Sequence, residues 1–419
     1  MDYDLLIIGG GMVGASLAHA LRDLELRIGI VEAVALEENS QPSYDARAIA
    51  LSQGSKRIFD AMGVWDAMVV QGVSPITHIH VSDRGHFGAS RLDAAQEHVE
   101  ALGYVVEAGV IGTVLAARLK SLPNVEVICP ATIKGLAIEA ESASVTIERD
   151  GVLGELRAAL VVAADGTRST VRELVGARTF KLGYGQTAII ANVITDQPHH
   201  GRAFERFTDS GPLALLPNTA PLGYPQRDAG ERRWSLVWTA RDAEVEAILA
   251  LDDAAFIERL QVRLGYRAGH VISCGPRRAY PLVLQYVRDQ VRERLAFIGN
   301  AAHAMHPVGG QGFNLGLRDV AVLAEVLANA VQRADDIGSL AALHDYAAWR
   351  RPDYLRTMFF TDTLARSFST KFTPVVVARD LGLMAMELLP PARQLFARQA
   401  MGLLGKLPRL ARQLPLIEK

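Results

Sequence analysis

A glycine-rich loop close to the start of the chain limits most strongly what this sequence can fold into. Residues 3–8 form a short apolar run typical of a buried strand, and the sequence GGGMVG follows at residues 9–14. A helical pattern over residues 12–22 and a second apolar run over residues 27–32 complete a β-α-β unit of about 30 residues. This unit predicts a doubly wound α/β domain that binds a dinucleotide at its first strand-to-helix turn.

The residues of the loop and of the second strand indicate which part of a dinucleotide is bound. Gly9, Gly11 and Gly14 supply the spacing G-x-G-x-x-G, which permits a tight turn and lets backbone N–H groups approach a pyrophosphate at a helix start. Glu32, at the end of the second strand, is expected to accept hydrogen bonds from the ribose hydroxyls of an adenosine. Its charge would repel a 2′-phosphate, so NADPH is not expected to be the resident dinucleotide. FAD and NAD remain as alternatives.

Two later segments favour FAD. Asp165 and Gly166 follow one predicted buried strand, and Gly299 and Asn300 follow another, which leads into a long helix predicted over residues 314–331. Ligands of open α/β sheets lie across the carboxyl ends of the strands, so a molecule that reaches all of these ends must be longer than the part held by the first unit. FAD has this length because its ribityl chain and isoalloxazine ring extend beyond the pyrophosphate.

The loop that leads into this last helix has the composition expected of a flavin-binding loop. Gly309, Gly310 and Gly312 would let the backbone lie close to an isoalloxazine ring. The N–H groups of Phe313 and Asn314, at the predicted helix start, would stabilise negative charge on a reduced flavin. The sequence therefore predicts that one FAD extends across three strand ends.

Composition and charge exclude several other classes of protein. The 419 residues leave room for two or three domains, and 49% of them are hydrophobic, as in an ordinary soluble α/β protein. A formal net charge of −2 does not favour a nucleic-acid partner. Two cysteines, Cys129 and Cys274, are too few for a disulfide framework and lack metal-ligand spacing, so no metal is expected. The acidic N-terminus is not a secretory signal and no apolar stretch is long enough to span a bilayer, which predicts a cytoplasmic protein.

The pattern along the chain predicts a discontinuous domain organisation. Residues 48–62 and 113–122 are predicted as helices, whereas short strands dominate residues 125–164 and 186–238. An FAD-binding domain, a sheet-based substrate domain and a helical C-terminal region are therefore expected. The predicted ranges are 1–75, 100–180 and 285–338 for the FAD-binding domain, 76–99 and 181–284 for the substrate domain, and 339–419 for the helical region, with a basic tail from residue 371.

Taken together, the motifs resemble those of the aromatic-ring hydroxylase class of flavin monooxygenases, which share the glycine loop, the Asp-Gly motif and the Gly-Asp motif. Within that class, four further segments resemble the ubiquinone-biosynthesis hydroxylases, and the likeness covers essentially the whole chain. These segments are DARAIALS (45–52), GRAFERFTDSGPLALLP (201–217), AYPL (279–282) and NAAHAMHPVGGQGFNLGLRD (300–319). The likeness is greatest to the branch that acts on 2-polyprenyl-6-methoxyphenol.

The resemblance implies a fold and a reaction. The fold would be a Rossmann-type FAD-binding domain with an inserted antiparallel-sheet substrate domain and a helical C-terminal region. FAD would be the cofactor, NADPH or NADH and O2 the co-substrates, and the ring of 2-polyprenyl-6-methoxyphenol, a lipid-tailed phenol, the site of hydroxylation through a flavin C4a-hydroperoxide. Because the flavin carries the chemistry, no catalytic side chain is expected.

Three alternatives stay open at this point. The chain could be a flavoprotein reductase or dehydrogenase acting on a lipid, or a hydroxylase for another ring position of the same pathway. It could also be an FAD-containing subunit that organises a biosynthetic complex without turnover.

The resemblance also carries over to individual residues. Arg47 is expected to contact FAD or to steer flavin movement. Asn300 replaces the aspartate of most of the class, but its amide oxygen can still accept a ribityl hydroxyl. The family's polar contact near residues 112–114 is replaced by small side chains. The expected cofactor-binding residues are Gly9, Gly11, Met12, Val13, Gly14, Glu32, Arg47, Asp165, Gly166, Gly299, Asn300, Pro307, Gly310, Gln311, Gly312, Phe313 and Asn314.

The substrate side of the site is predicted from strand alternation and from the loop before the long helix. His303 and His306 lie on either side of Met305, just before Pro307, and are expected to be structural, since no base is needed to activate oxygen. The side chains expected to line the sheet facing the ring are Phe204, Phe207, Leu213 and Leu215, with Pro307 on the loop side.

The C-terminal tail combines basic and apolar residues. Residues 371–419 contain eight basic and three acidic side chains. Basic residues beside Leu383, Met384, Leu403 and Leu404 suit peripheral contact with an anionic bilayer at the inner face of the membrane. A tail packed on its own domain and a docking surface for other biosynthetic subunits are the alternatives.

Overall fold

An eight-stranded sheet holds the predicted β-α-β unit in this computed structural model, which describes residues 1–36, 41, 44–85, 89–369, 376, 382 and 389–417. Its strands are β1 (Tyr3–Ile8), β2 (Ile28–Val31), β8 (Val125–Ile128), β9 (Thr132–Ile138), β10 (Ala143–Arg149), β11 (Val152–Ala163), β18 (Val291–Arg292) and β19 (Leu295–Phe297). The parallel strands run in the order β19, β11, β1, β2, β8, and β9 and β10 extend β11 as an antiparallel meander. The carboxyl ends of β19, β11, β1 and β2 therefore lie side by side.

Both faces of this sheet are buried, which explains the continuous apolar run of β1. Leu5 and Ile7 pack against the helices α1 (Met12–Ala20), α4 (Ala108–Leu119) and α8 (Gln311–Gln332). Leu6 and Ile8 point to the opposite face and pack against the meander. The doubly wound core predicted from the sequence is confirmed.

A small three-stranded sheet corrects one helix prediction. Its strands are β3 (Ala48–Ser52), β4 (Val73–Ile76) and β7 (Gly103–Glu107), and β3 pairs antiparallel with β7. The helix predicted over residues 48–62 is wrong for its first five residues, because a short apolar run has no period long enough to separate helix from strand. The helix α2 (Gln53–Ala61) begins where the Ser52 hydroxyl accepts a hydrogen bond from Ser55 N at 3.2 Å, and α3 (Trp65–Gly72) follows it.

A nine-stranded, largely antiparallel sheet forms the second layer. Its strands are β5 (His78–Asp83), β6 (Ala89–Asp93), β12 (Thr179–Thr195), β13 (Arg202–Thr208), β14 (Gly211–Pro217), β15 (Arg233–Arg241), β16 (Val271–Cys274), β17 (Arg278–Val287) and β20 (His303–Ala304). The helices α6 (Asp242–Leu249) and α7 (Asp253–Leu264) cover one face through Trp234, Trp238 and Phe256. On the other face, Val81 and Phe207 pack with Val308 and Ala365.

A buried ion pair joins the three-stranded and the nine-stranded sheets. Arg233 Nη2, on β15, lies 2.6 Å from Glu107 Oε1 at the end of β7, and both side chains are 3% exposed. Asn218 Nδ2 donates to the same carboxylate oxygen at 3.2 Å. Burial raises the pKa of Glu107, and Arg233 opposes that shift. Removing one member of such a pair leaves an uncompensated charge, at a typical cost of about 3–5 kcal/mol.

The C-terminal region is helical, and its described residues pack both on the first domain and on the nine-stranded sheet. Its helices are α9 (Leu340–Ser369) and α10 (Pro390–Ala400). The short helix α5 (Thr170–Leu174) lies earlier in the chain, between β11 and β12. After α10, Met401 O accepts from Gly54 N at 2.9 Å and Gln413 Nε2 donates to Asp60 at 2.7 Å. Leu383 and Met384, used in the membrane prediction, lie outside the described residues. None of the helices described here is both long and apolar enough to cross a bilayer.

Candidate functional site

The glycine loop turns from β1 into α1 by a path that demands glycine at two positions. Gly9 has φ +106°, and a Cβ there would lie 2.6 Å from Ala164 O, whereas a Cβ on Gly14 would lie 1.9 Å from Gly9 O. A Cβ on Gly11 would meet no described atom within 4 Å, so this side of the loop is open. Gly11 precedes α1 without a capping side chain, which leaves the first N–H groups of the helix available to an anion.

The acidic side chain expected to bind ribose lies against the same loop. Glu32 Oε2 accepts from Gly10 N at 2.6 Å, and Oε1 accepts from Val34 N at 2.9 Å. A carboxylate has about four acceptor positions, so each oxygen can accept one more hydrogen bond. Glu32 is thereby fixed at the edge of the loop with acceptor capacity left for two hydroxyls.

The Asp-Gly motif places an unpartnered acceptor beside the loop. Asp165 Oδ2 accepts from Val171 N at 3.0 Å, but Oδ1 is buried and has no partner among the described residues. Burial raises the pKa of Asp165, and hydrogen bonds from Ser169 and Val171 oppose that shift. Gly166 has φ +80° and, like Gly11, faces open space. An orphaned buried oxygen next to an open glycine fits a ligand rich in hydroxyl groups.

The Gly-Asn motif completes the row of strand ends. An added Cβ on Gly299 would lie 3.0 Å from Val13, so this turn touches the first turn of α1, where Met12 packs toward the core. Asn300 is exposed beside it. The structure therefore brings the expected residues of the glycine loop, the Asp-Gly motif and the Gly-Asn motif together.

The loop before α8 is held by one amide side chain. Asn314 Oδ1 accepts from Ser52 N at 2.8 Å and from Ser55 Oγ at 2.7 Å. Its Nδ2 donates to Ala50 O at 2.8 Å and to Gly310 O at 2.7 Å. The sequence singled out the backbone of Asn314, but this clamp between two segments far apart in the chain has no local signal.

The rest of this loop is folded back on itself. Pro307 precedes a 3-10 turn in which Gly309 and Gly310 have φ +66° and +62°, values that favour glycine. Gln311 Nε2 donates to Gly309 O at 3.1 Å. A Cβ on Gly312 would meet no described atom within 4 Å, and the Phe313 ring stacks on Phe59 with 6.3 Å between ring centroids.

Arg47 is positioned by residues that sequence reasoning missed. Its Nε lies 2.7 Å from Asp45 Oδ1, and its guanidinium lies 4.8 Å from the centroid of the Tyr280 ring. The Tyr280 hydroxyl donates to Asp45 Oδ2 at 3.0 Å. Asp45 belongs to the DARAIALS segment and Tyr280 to AYPL, so the two motifs meet in space. Arg47 precedes strand β3, where the sequence predicted the start of a helix over residues 48–62.

A buried charge cluster lies behind the Gly-Asn turn. Asp319 Oδ2 accepts from Gly299 N at 2.9 Å and lies 2.8 Å from His303 Nε2. Its Oδ1 lies 2.7 Å from Arg350 Nε and accepts from the Tyr354 hydroxyl at 2.6 Å. Burial alone would raise the pKa of Asp319, but Arg350, His303 and Tyr354 outweigh it and hold the pKa below its ordinary value. These contacts tie the turn to α8 and α9.

His306 is buried and neutral. Its ring meets the Tyr184 ring edge-on with 5.0 Å between centroids, and Nδ1 accepts from Val308 N at 3.3 Å. Burial lowers the pKa of His306 to about 4. A base this weak is poorly matched to phenol chemistry near neutral pH, so packing is the role its surroundings favour.

The sheet face expected to meet substrate is corrected for three of four residues. The face covered by α6 and α7 carries Phe204, Leu213 and Leu215. The Phe204 ring packs against the Trp234 ring there, with 5.8 Å between ring centroids. Alternation alone does not say which face of a two-sided apolar sheet a helix covers. Phe207 points the other way and packs with Val308 of the loop.

The opposite face carries residues that the sequence did not single out. By strand register, Glu205 lies beside Ala214, which in turn lies beside Val237. The Gly309 N–H donates a hydrogen bond to the Glu205 carboxylate. This face of the sheet therefore meets the loop of residues 307–312, in which several of the expected cofactor residues lie.

Comparisons with known proteins agree with this geometry. A family model described as an FAD binding domain matches residues 2–356. The chain is 41% identical over 417 residues to the ubiquinone hydroxylase UbiL of Rhodospirillum rubrum, with 99% of this chain and 93% of the relative covered. It is 30% identical to the 3-demethoxyubiquinol 3-hydroxylase of Escherichia coli, with 96% and 98% covered.

A solved structure shows the same fold. The p-nitrophenol 4-monooxygenase PnpA of Pseudomonas putida DLL-E4 superposes with a TM-score of 0.77 at 21% identity, covering 96% of this chain and 98% of that one. The match to the FAD binding domain model confirms FAD as the cofactor, and NAD(P)H and O2 are the typical co-substrates of such monooxygenases. The chain belongs to the FAD-binding family that includes the ubiquinone-biosynthesis hydroxylases, and it is an FAD-dependent monooxygenase.

Proposed function

We propose that this monooxygenase hydroxylates the aromatic ring of a polyprenylated phenol, 2-polyprenyl-6-methoxyphenol, in ubiquinone biosynthesis. One observation carries the proposal. The sheet face that bears Glu205, Ala214 and Val237 lies opposite the loop of residues 307–312. The names of the relatives from R. rubrum and E. coli support a ubiquinone-type ring as substrate.

We assign the first part of the cofactor to the strand ends of the first sheet. The open side of the glycine loop and the first N–H groups of α1 would hold the pyrophosphate, and Glu32 would accept the ribose hydroxyls. The free oxygen of Asp165 and the amide of Asn300 would accept ribityl hydroxyls. When bound and reduced by NAD(P)H, FAD supplies the activated oxygen derived from O2.

The second part of the cofactor would lie between the loop and the sheet. The N–H groups at the start of α8 would stabilise negative charge on the ring, and Arg47 would approach it from β3. Phe207 and Val308 are nearly fully buried and would exclude water from the space between loop and sheet.

The proposal is tested with FAD-loaded protein, NADPH or NADH, and 2-methoxy-6-farnesylphenol under ¹⁸O2. We expect a product that contains one atom of ¹⁸O, with one NAD(P)H consumed for each product formed. If NAD(P)H is oxidised and the prenylated phenol is converted to a product that contains no ¹⁸O, the result would instead support a lipid reductase or dehydrogenase.

A second ring position is favoured by one relative. The E. coli protein is named for hydroxylation of 3-demethoxyubiquinol at position 3. Both compounds are therefore offered together in limiting amounts, and mass spectrometry follows which one is consumed first. Preference for the demethoxyubiquinol would replace the first substrate by the second without changing the reaction class.

We further propose that the protein contacts a membrane surface reversibly. Arg351, Leu355 and Phe359 follow one another at four-residue spacing along α9, and Leu355 and Phe359 are 53% and 75% exposed. A cation beside exposed apolar side chains suits an anionic bilayer, in which a polyprenyl tail is dissolved. Leu355→Ser with Phe359→Ser should weaken sedimentation with anionic vesicles, whereas Val262→Ser on exposed α7 should not. Equal sedimentation of all three proteins would contradict membrane contact.

A further inference from the structure

Glu205 is an acidic side chain on the face of the nine-stranded sheet that meets the loop of residues 307–312. It sits on β13 between Ala214 of β14 and Val81 of β5. Its neighbours along the strand, Phe204 and Arg206, point to the helix-covered face, so Glu205 points toward the loop. The side chain is half-buried and accepts a hydrogen bond from the Gly309 N–H.

The surroundings of Glu205 are mostly apolar. Val81, Phe207, Val308 and Ala365 form one cluster on this side of the sheet. Burial is the largest influence on the pKa of Glu205 and raises it to about 7, and the Gly309 amide opposes that shift. Among the described residues, the Gly309 amide is the one hydrogen-bond partner given for this carboxylate, and acids in apolar surroundings of this kind are common at reaction sites.

Other titratable groups on the packed elements are committed elsewhere. The Asp362 carboxylate on α9 accepts from the Tyr184 hydroxyl at 3.1 Å and lies 2.8 Å from Arg366. His306, before the loop, is neutral above about pH 4 because burial lowers its pKa. Asp83 lies on the same face of β5, two residues beyond the partner of Glu205.

We propose that Glu205 accepts the phenolic hydrogen of the substrate, first as a hydrogen bond in the bound state and then as a proton during ring hydroxylation. This rests on the proposed function, because it requires a phenol between the sheet and the loop. Glu205 would thus be a catalytic residue for a reaction in which the sequence suggested no side-chain base.

The proton balance of the step is simple. When the new ring C–O bond forms, the O–O bond of the activated oxygen breaks, and the oxygen left behind keeps the electron pair and takes up a proton. In the same step the phenolic O–H bond breaks, its electron pair delocalises into the ring, and an O–H bond forms on the Glu205 carboxylate. When the ring regains aromaticity, the hydrogen on the oxygenated carbon leaves as a proton to water, and Glu205 returns its proton to the phenolic oxygen. The oxygen atom itself comes from the established monooxygenase reaction.

The pKa makes the carboxylate a better base than an ordinary glutamate. A free phenol has a pKa near 10, so transfer to a group of pKa about 7 is less unfavourable by roughly 2–3 pKa units than transfer to one near 4.3. General-base catalysis of this kind typically contributes about 10²–10⁴-fold in rate.

The test compares wild-type enzyme, Glu205→Gln and the control Glu258→Gln on exposed α7, all loaded with FAD. Without NAD(P)H, calorimetry gives the dissociation constants of 2-methoxy-6-prenylphenol and of its O-methyl ether from pH 5.5 to 8.5. In wild type and control, we expect the preference for the phenol over the ether to rise by about 10-fold or more as the pH passes about 7. In Glu205→Gln, the preference should not change with pH.

Turnover supplies the second measurement. We expect kcat for the phenol to fall by about 10²-fold or more in Glu205→Gln, and the rise of kcat/KM near pH 7 to disappear. The Glu205→Gln side chain can still accept from the Gly309 N–H, so the variant removes the ionisable group and keeps this contact. If the variant has the pH profile and the phenol preference of wild type, the proposal is overturned. If Glu205→Gln does not retain FAD, Glu205→Asp must keep the pH-dependent preference, and its loss there would also overturn the assignment.

The two proposals fail in different ways. A wild-type enzyme that binds neither compound contradicts the phenol substrate itself, and the role of Glu205 falls with it. A wild-type enzyme that hydroxylates the phenol but binds phenol and ether equally at every pH contradicts only the role of Glu205.

Discussion

Two carboxyl groups near the loop of residues 307–312, those of Asp319 and Glu205, have opposite surroundings and opposite pKa shifts. Asp319 lies behind the Gly-Asn turn, where Gly299 N, His303, Arg350 and Tyr354 all contact its two oxygens. Glu205 lies in front of the loop and receives a backbone N–H. The pKa of Asp319 is held low by its charged and hydroxyl partners, whereas burial raises the pKa of Glu205 to about 7.

The difference teaches how burial and partners divide structural from chemical acids. A buried carboxylate with an arginine and several donors stays ionised and fixes the elements around it. A buried carboxylate with a lone amide gains or loses its proton near neutral pH, which suits proton transfer to a ligand. Each of the following experiments would break or sharpen this comparison.

Loss of the Asp319 carboxylate should have the largest effect. Asp319→Ala leaves the fully buried Arg350 and His303 without their shared acceptor, and we expect the free energy of unfolding to fall by about 3–5 kcal/mol. Urea denaturation followed by circular dichroism measures the change. As a control, Asp289→Ala removes an exposed pair with Arg178 and should alter stability by at most about 1 kcal/mol. A loss in Asp319→Ala no larger than the control would mean that the cluster is not structural.

A substitution at the turn held by Asp319 should have the next largest effect. Gly299 has φ +57°, and a Cβ there would lie 3.0 Å from Val13. Gly299→Ala should therefore lower the free energy of unfolding by about 1–2 kcal/mol and reduce the FAD content after purification. The ratio of flavin to protein absorbance and the denaturation midpoint measure both effects. If Gly299→Ala has the flavin content and the denaturation midpoint of wild type, the turn at residue 299 accommodates a Cβ without cost.

Glu205→Gln should raise the free energy of unfolding, whereas Asp319→Ala lowers it, and the size of the Glu205→Gln effect should depend on pH. Its folded pKa is about 7 and its unfolded pKa near 4.3, so the stability it contributes relative to glutamine is present below about pH 4.3 and lost as the pH rises through about 7. At pH 8, we expect Glu205→Gln to exceed wild type by about 1–2 kcal/mol, with the difference shrinking toward pH 5. The contribution of Asp319 should be lost only in acid, below its ordinary pKa. A pH-independent difference between Glu205→Gln and wild type would contradict the environment described for Glu205.

Asn300 should affect ligand binding with the smallest effect on stability. Its side chain is exposed next to Gly299, so Asn300→Asp and Asn300→Leu should each change the free energy of unfolding by less than about 0.5 kcal/mol. Asn300→Asp should retain FAD because it keeps an acceptor, and Asn300→Leu should release it. Equal flavin content in the two variants would refute the contact between Asn300 and the cofactor.

The sequence was most informative where chemistry and local structure coincide. The glycine spacing, the strand that precedes it and the acid at the end of β2 are all set within about 30 residues, and the predicted fold class and cofactor are confirmed. The start of α2 was wrong because the apolar run of β3 has no clear period over five residues. The roles proposed for the cofactor-binding residues stay predictions that the variants above address.

Contacts between distant segments could not be read from local patterns. Asn314 clamps Ser52 across 262 positions, and Asp319 meets Arg350 between two helices. Leu213 and Leu215 were assigned to the wrong face of β14 because both alternate sets of that strand are apolar, and the helices that cover one of them follow later in the chain. Phe204 lies three positions from Phe207 and therefore on the opposite face of β13. Glu205 was passed over since an isolated glutamate in a strand resembles any solvated side chain.

The ion pair of Glu107 and Arg233 limits how this protein can diversify. Each residue is supplied by a different sheet, and neither can be neutralised alone without leaving a buried charge. Descendants should therefore change the two positions together or keep both. A chimaera that receives its substrate sheet from a relative will fold well only if the donor brings a cation to the place of Arg233, or if Glu107 is replaced in the same step.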